Sequence, residues 1–278
     1  MKVEADEKLA QKYGSYASFN TAVDPHLIET WGESPIDEVD RLIKKFCHSE
    51  TTMLDLGCGA GQTLCRYAPS VKQMVGFEQV TELFEATKQR VAALDLANVQ
   101  LVQGNVAQDE DVHQLPDDTF DLVLSRRGPD VTKALLGKLK RDAIVIQELA
   151  REALGLQELF GRKPFLPQAG NNPHWLLEPY RWLGLLPISI KDYFYVQYFE
   201  SPERFAAYLK HAGLLGHWRM PKIVFDPELD QEALALYVRY NQTEKGIRLL
   251  CRRTVYLFRR TAVSHYPAIP TAEPLYPG

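Results

Sequence analysis

Three glycines at alternate positions, Gly57, Gly59 and Gly61, with Asp55 before them and Glu78 at the end of the next apolar run, are the residues here whose types and spacing most directly imply chemistry. Glycine is needed where a chain turns tightly and brings its backbone against a ligand that a Cβ would hold off. Upstream, residues 52–56 are apolar enough for a central parallel strand, and downstream residues 62–68 read as a helix starting at the last glycine. Strand, turn and helix therefore come in the order of a nucleotide-type pocket. Residues 73–77 form the next strand. It ends in Glu78, whose carboxylate has the reach to accept from both hydroxyls of a ribose, and whose charge disfavours a ribose phosphate.

A dinucleotide fingerprint would space its glycines as G-x-G-x-x-G, which this turn does not. The pattern Asp-x-Gly-x-Gly-x-Gly instead resembles the class I S-adenosylmethionine-dependent methyltransferases. The resemblance continues through Gly104-Asn105-Val106, where that family usually has Gly-Asp beside the adenine, and through the loop and strand from Leu115 to Ser125, covering about residues 50 to 148. It implies S-adenosyl-L-methionine as cofactor, with the glycine turn on its methionine moiety. Asp55, Gly57, Cys58, Gly59 and Gly61, with Glu78, Gln79, Asn105, Val106 and Ser125, are then the cofactor-binding set. Asn105 replaces the usual aspartate, but its side-chain oxygen can still accept from the adenine amino group while its amide donates. Where the family commonly has Lys-Pro-Gly-Gly before the fifth strand, Lys138-Leu-Lys-Arg-Asp142 runs straight into the strand at 143–148.

The implied fold is a Rossmann-like α/β sheet of seven strands, mostly parallel, with helices on both faces and the last strand antiparallel. An N-terminal helical cap at 1–46 precedes it, the methyltransferase domain spans 47–260, and helical excursions at 149–187 and 200–245 cap the substrate. In the N-terminal segment Ser34 and Pro35 open a helix with Ile36, Val39, Leu42 and Ile43 on one face, and Tyr13, Tyr16 and Trp31 either close over the cofactor or anchor a loose segment. Asn172-Pro173 starts a further helix carrying Trp175 and Trp182, and the tail at 261–278 has four prolines that preclude regular structure.

Ligands of an open α/β sheet sit beyond the carboxyl ends of the strands, so Ser125 to Pro129 and Gln147-Glu148 should face the transferred methyl group. Arg126 and Arg127 offer guanidinium forks for a substrate carboxylate or phosphate, unless one of them pairs with Asp117, Asp118 or Asp130. Methyl transfer from a sulfonium is an in-line displacement that needs alignment and exclusion of water, and a base is optional. If a proton must leave, Glu148, His174 or His113 can accept it, although a lone histidine is more often a hydrogen-bonded surface or cap residue. Arg252 and Arg253 alternate to opposite faces of the last strand, so solvent or carboxylate partners account for them better than a nucleic-acid groove does.

The chain has 278 residues, 45% of them hydrophobic, enough for one large core with appended elements or at most two domains. Cys47, Cys58, Cys65 and Cys251 show no C-x-x-C spacing, so neither a disulfide framework nor a metal site is indicated and a reducing cytoplasmic setting is expected. The first residues are too charged for a secretory segment, and no apolar run is long enough to span a membrane. A net charge of −4 gives no global attraction to nucleic acid. The expected activity is methyl transfer to a small organic acceptor; the alternatives are RNA methylation, or S-adenosylmethionine binding without catalysis.

Overall fold

The computed structural model describes residues 25–152, 156–161, 177–212, 215 and 225–261. In chain order its strands are β1 (Leu27–Thr30), β2 (Thr52–Leu56), β3 (Gln73–Glu78), β4 (Val99–Gln103), β5 (Phe120–Arg126), β6 (Leu139–Glu152), β7 (Leu185–Phe199), β8 (Gln242–Thr243) and β9 (Gly246–Arg260). The helices are α1 (Pro35–Phe46), α2 (Gln62–Tyr67), α3 (Thr81–Ala93), α4 (Asp109–Val112), α5 (Lys133–Leu136), α6 (Leu156–Leu159), α7 (Leu177–Trp182), α8 (Pro202–Ala212) and α9 (Gln231–Asn241).

The sheet runs β1-β7-β9-β6-β5-β2-β3-β4, with β8 paired to β9. Strands β4, β3, β2, β5 and β6 are parallel neighbours, and β9 is antiparallel to both β6 and β7. The expected seven-strand sheet with an antiparallel last strand is thus present, extended by two short strands. One of them, β1, lies in the segment expected to be helical before the first strand: its Ile28 and Glu29 pair with Gln197 and Val196, covering the otherwise open edge of β7.

Alternation sends successive residues of each central strand to different cores. Leu54, Val75, Val123, Val145 and Phe258 join Tyr180 of α7 and Leu135 of α5 on one face. Their neighbours Met53, Met74, Leu122, Leu124, Ile146 and Leu257 pack under Val39, Leu42 and Ile43 of α1 and Leu64 of α2 on the other. Both faces are therefore covered, which is why these strands read as continuous apolar runs. Helix α1 starts as expected: Ser34 accepts from the Ile36 amide and Pro35 occupies the first turn. Ile36 itself, placed on the apolar face by its spacing, is exposed in that first turn.

Strand β6 begins at Leu139, inside the segment expected to be a connecting run. Its register against β5 shifts between Phe120 and Leu122, and Asp142 takes the left-handed region at φ 66°. Aspartate tolerates that region better than most residues, so the bulge absorbs the residues the family-like turn would have held. A third cluster, built on Phe199, Phe205, Tyr208, Tyr237 and Leu249, seats α8 and α9 on the far ends of β7 and β9. Among the described residues no helix is long and apolar enough to cross a membrane, and no group of three or more His, Cys, Asp or Glu side chains is placed to hold a metal ion. His174, Trp175, Tyr13, Tyr16 and the proline-rich tail beyond 261 lie outside the described residues.

Candidate active site

The carboxyl ends of β2, β3 and β4 are tied together by main-chain hydrogen bonds that cross between loops. The amide of Gly57 donates to Phe77 O at 2.8 Å, and that of Gly104 donates to Glu78 O at 3.0 Å. Gly57, Gly59 and Gly61 all have left-handed φ, at 76°, 57° and 79°. A Cβ on Gly57 would stand 2.8 Å from Pro129 Cδ, and one on Gly61 would stand 2.8 Å from Thr87 Cγ2. The turn is therefore glycine-bound twice over, by backbone conformation and by contact with the Pro129 loop and helix α3.

Glu78 is almost completely buried, and its carboxylate accepts from the amides of Gly59 and Val80, both at 2.9 Å. Each oxygen keeps lone pairs beyond those bonds, so the same carboxylate can still accept from hydroxyls. Two residues that sequence reasoning passed over hold the turn from α3: Thr87 Oγ1 donates to Gly59 O at 2.7 Å and Arg90 Nε donates to Ala60 O at 2.9 Å. Their only sequence signal is a spacing of three on one helix face.

Asp55 is buried at the base of the turn, and its Oδ2 makes no hydrogen bond among the described residues. Burial pushes its carboxyl up to about 7, with Arg126 working against that shift and Glu78 adding to it. An orphaned, buried carboxylate oxygen is costly unless a donor arrives to meet it. Cys58, also buried in the turn, has its thiol pushed well above the ordinary value by burial and then by Asp55 and Glu78. It is a packing thiol rather than a nucleophile.

Past β4, the Asn105 amide donates to Asp111 Oδ2 and its side-chain oxygen accepts from the Ala107 amide, while Val106 is buried beside them. Gln79 is exposed next to Glu78. At the end of β5, buried Ser125 donates to Pro129 O at 2.7 Å and fixes the loop that follows. That loop is also held from behind, where Tyr180 OH accepts from the Val131 amide and donates to Gln147 Oε1.

The carboxyl ends of β5 and β6 carry one ion cluster. Glu148 is fully buried; its Oε2 accepts from Arg126 Nε at 2.9 Å and its Oε1 from Arg253 Nη1 at 2.8 Å. Arg253 Nε donates to Tyr195 OH at 3.0 Å, and Arg126 Nη1 lies 3.4 Å from Thr63 Oγ1. Burial opposes the charge of Arg253, but Glu148 and Tyr195 outweigh it and raise its pKa. The partner of Arg126 is thus neither Asp117, Asp118 nor Asp130. Asp117 instead pairs with Lys138, and Asp130 accepts from Gln147. Arg127 has left-handed φ and donates its amide to Glu148 O. Arg252 pairs with Asp192 on the opposite face from Arg253. His113 is exposed in the turn after α4.

Residues 47–153 match the model of the methyltransferase domain family. A protein named uncharacterized methyltransferase YcgJ, of Bacillus subtilis strain 168, is 24% identical over 179 residues, spanning 60% of this chain and 67% of its own length. Among solved structures, a functionally unknown protein from Deinococcus radiodurans R1 superposes with a TM-score of 0.61 at 17% identity, covering 92% of this chain and 99% of that one. The [4+2]-cyclase SpnF does so at 0.54 and 15% identity, covering 93% of each chain. A cyclase on the same framework shows that the reaction is decided by the site and not by the sheet.

Proposed function

We propose that the chain, whose residues 47–153 match the methyltransferase domain family, is a class I S-adenosylmethionine-dependent methyltransferase that moves a methyl group to a small organic acceptor held above the carboxyl ends of β5 and β6. The cofactor fits the residues present: a left-handed glycine turn at its methionine end, an orphaned Asp55 oxygen for an ammonium, and a Glu78 carboxylate with spare lone pairs for ribose hydroxyls. Asn105 and Val106 are the adenine-side contacts in this reading, and Gln79 and Ser125 border them. When bound, the cofactor supplies an electrophilic methyl group on a positively charged sulfur.

The chain's part is alignment. Ser125, Pro129 and the Tyr180–Gln147 bond hold the loop after β5 rigidly, which keeps acceptor and methyl carbon in line and water out. In this reading Glu148 does not take a proton, because both its oxygens are engaged by guanidinium groups, and a proton there would strip the buried Arg253 of its counter-charge. Acceptors whose nucleophilic atom already carries a lone pair at neutral pH are favoured. For any that do not, His174 and His113 are the remaining candidate proton acceptors.

The observation that carries the small-molecule reading is the pairing of the β9 arginines: Arg252 and Arg253 are each committed to a carboxylate, on opposite sheet faces, so they form no stripe that could track a phosphate backbone. Incubation with radiolabelled S-adenosylmethionine and, in parallel, a small-molecule extract and total RNA tests it. Label in the small-molecule fraction is expected; label confined to RNA overturns the reading.

A further inference from the structure

Arg126, Glu148 and Arg253 come from three adjacent strands, yet their charged ends converge on the α1 and α2 side of the sheet. Two guanidinium groups against one carboxylate leave one positive charge in excess, in a cluster whose carboxylate is fully buried and whose arginine side chains are 20% and 12% exposed. Arg253 has Nε on the Tyr195 hydroxyl and Nη1 on Glu148, and is the less exposed of the two. Arg126 has only Nε on Glu148, with Nη1 reaching Thr63 at 3.4 Å, and is the more exposed. The excess charge is therefore most accessible at the Nη edge of Arg126.

Where that edge lies is given by its neighbours. Thr63 is in the first turn of α2, directly after Gly61, and the Asp55 carboxyl at the base of the same turn senses the Arg126 charge. An accessible guanidinium edge and an orphaned carboxylate oxygen, of opposite sign, thus flank the glycine turn. An α-amino acid presents the two complementary charges on one carbon.

We propose that Arg126 receives the carboxylate of the cofactor's methionine end, and that Glu148 and Arg253 are positioning residues that hold its guanidinium there. This rests on the cofactor reading given above, and it moves Arg126 from the acceptor to the cofactor. A guanidinium on a free side chain would lose affinity through the rotamers it must give up, whereas one already clamped at Nε by a buried carboxylate gives up few. Arg253 sets the clamp: it occupies the second oxygen of Glu148 and fixes the carboxylate plane, and the Tyr195 hydroxyl fixes Arg253.

The test is calorimetric, on the intact protein, with S-adenosylhomocysteine and its analogue lacking the carboxylate. The wild-type protein should prefer the carboxylate-bearing ligand by roughly tenfold or more. Arg126→Met should abolish the preference while leaving affinity for the decarboxylated analogue near wild type. Arg253→Met should narrow it in the same way, and Arg253→Lys should restore part of it. Tyr195→Phe, which keeps the core packing, should narrow it slightly and serves as the readout if Arg253→Met does not fold. An unchanged preference in Arg126→Met overturns the proposal. So does a preference lost in Arg126→Met but intact in both Arg253→Met and Tyr195→Phe, which removes the positioning role while the cofactor reading stands. Equal weakening of both ligands in every variant reduces the cluster to a structural one and also overturns it. Wild-type protein that binds neither ligand overturns the cofactor reading itself.

Discussion

The Glu78 carboxylate accepts a hydrogen bond from the Gly59 amide at 2.9 Å, so a residue on β3 shapes a turn that belongs to β2. In the proposed reading Glu78 serves the turn and the ribose together, so its removal should affect both. Glu78→Ala should weaken S-adenosylhomocysteine binding by about 1–3 kcal/mol by calorimetry, and hydrogen exchange at the Gly59 amide should accelerate in the ligand-free protein. Unchanged affinity in the folded variant would place the ribose elsewhere.

Gly61 has left-handed φ with Thr87 against the place where a Cβ would be, so Gly61→Ala combines backbone strain with a contact to the residue that bonds Gly59 O. A loss of about 1–3 kcal/mol in unfolding free energy is expected for strain of this kind, measured by denaturant titration, with weaker cofactor binding. Gly59→Val adds β-branching at φ 57° in the middle of the turn and should abolish binding.

Asp55 carries a pH dependence of definite sign. Its carboxyl is raised from 3.8 to about 7 by burial, so between those values the unfolded chain is ionised where the folded one holds a proton. Stability from this group is therefore greatest at low pH and is lost as pH rises from about 4 to about 7. Asp55→Asn should flatten that part of the thermal-midpoint profile and be at least as stable as the wild type at pH 8. Its S-adenosylhomocysteine affinity should be lower at pH 8 and should no longer rise between pH 6 and pH 8, because a ligand ammonium favours the ionised carboxylate.

Tyr180→Phe removes the acceptor of the Val131 amide and the donor to Gln147 in a fully buried site. An unmet buried polar group costs about 1–3 kcal/mol, and the loop it holds borders the proposed acceptor position. Lower thermal stability is expected, together with a larger effect on kcat than on cofactor affinity. Equal loss of both would mean that the loop also shapes the cofactor site.

Arg259 and Arg260 close β9 at the end remote from the glycine turn, paired with Leu186 and Leu185 of β7. The double variant Arg259→Ala/Arg260→Ala should retain methyl transfer. Loss of activity, with binding of RNA that falls steeply with salt in the wild type, would point to a polyanionic acceptor.

The glycine turn and the elements that flank it were legible in sequence because their constraints are local. A turn that must adopt left-handed φ at Gly57, Gly59 and Gly61 writes itself as glycine, a buried parallel strand writes itself as an apolar run, and Ser34-Pro35 announces a helix start through the hydrogen bond Ser34 makes. Pairings across strands leave no such mark. Nothing in the local sequence of Glu148 reveals that Arg253, 105 positions later, takes one of its oxygens while Arg126 takes the other. An acidic residue at a strand end looks the same whether it is a base or an anchor. Likewise Thr87 and Arg90 read as ordinary helix residues until α3 is laid against the turn. Strand β1 was missed because four residues carry too little periodicity, and it was the open edge of β7 that made them a strand. Sequence thus set what each segment can be, through backbone conformation and apolar spacing, and the tertiary structure decided which charges meet, because that depends on strand order and register.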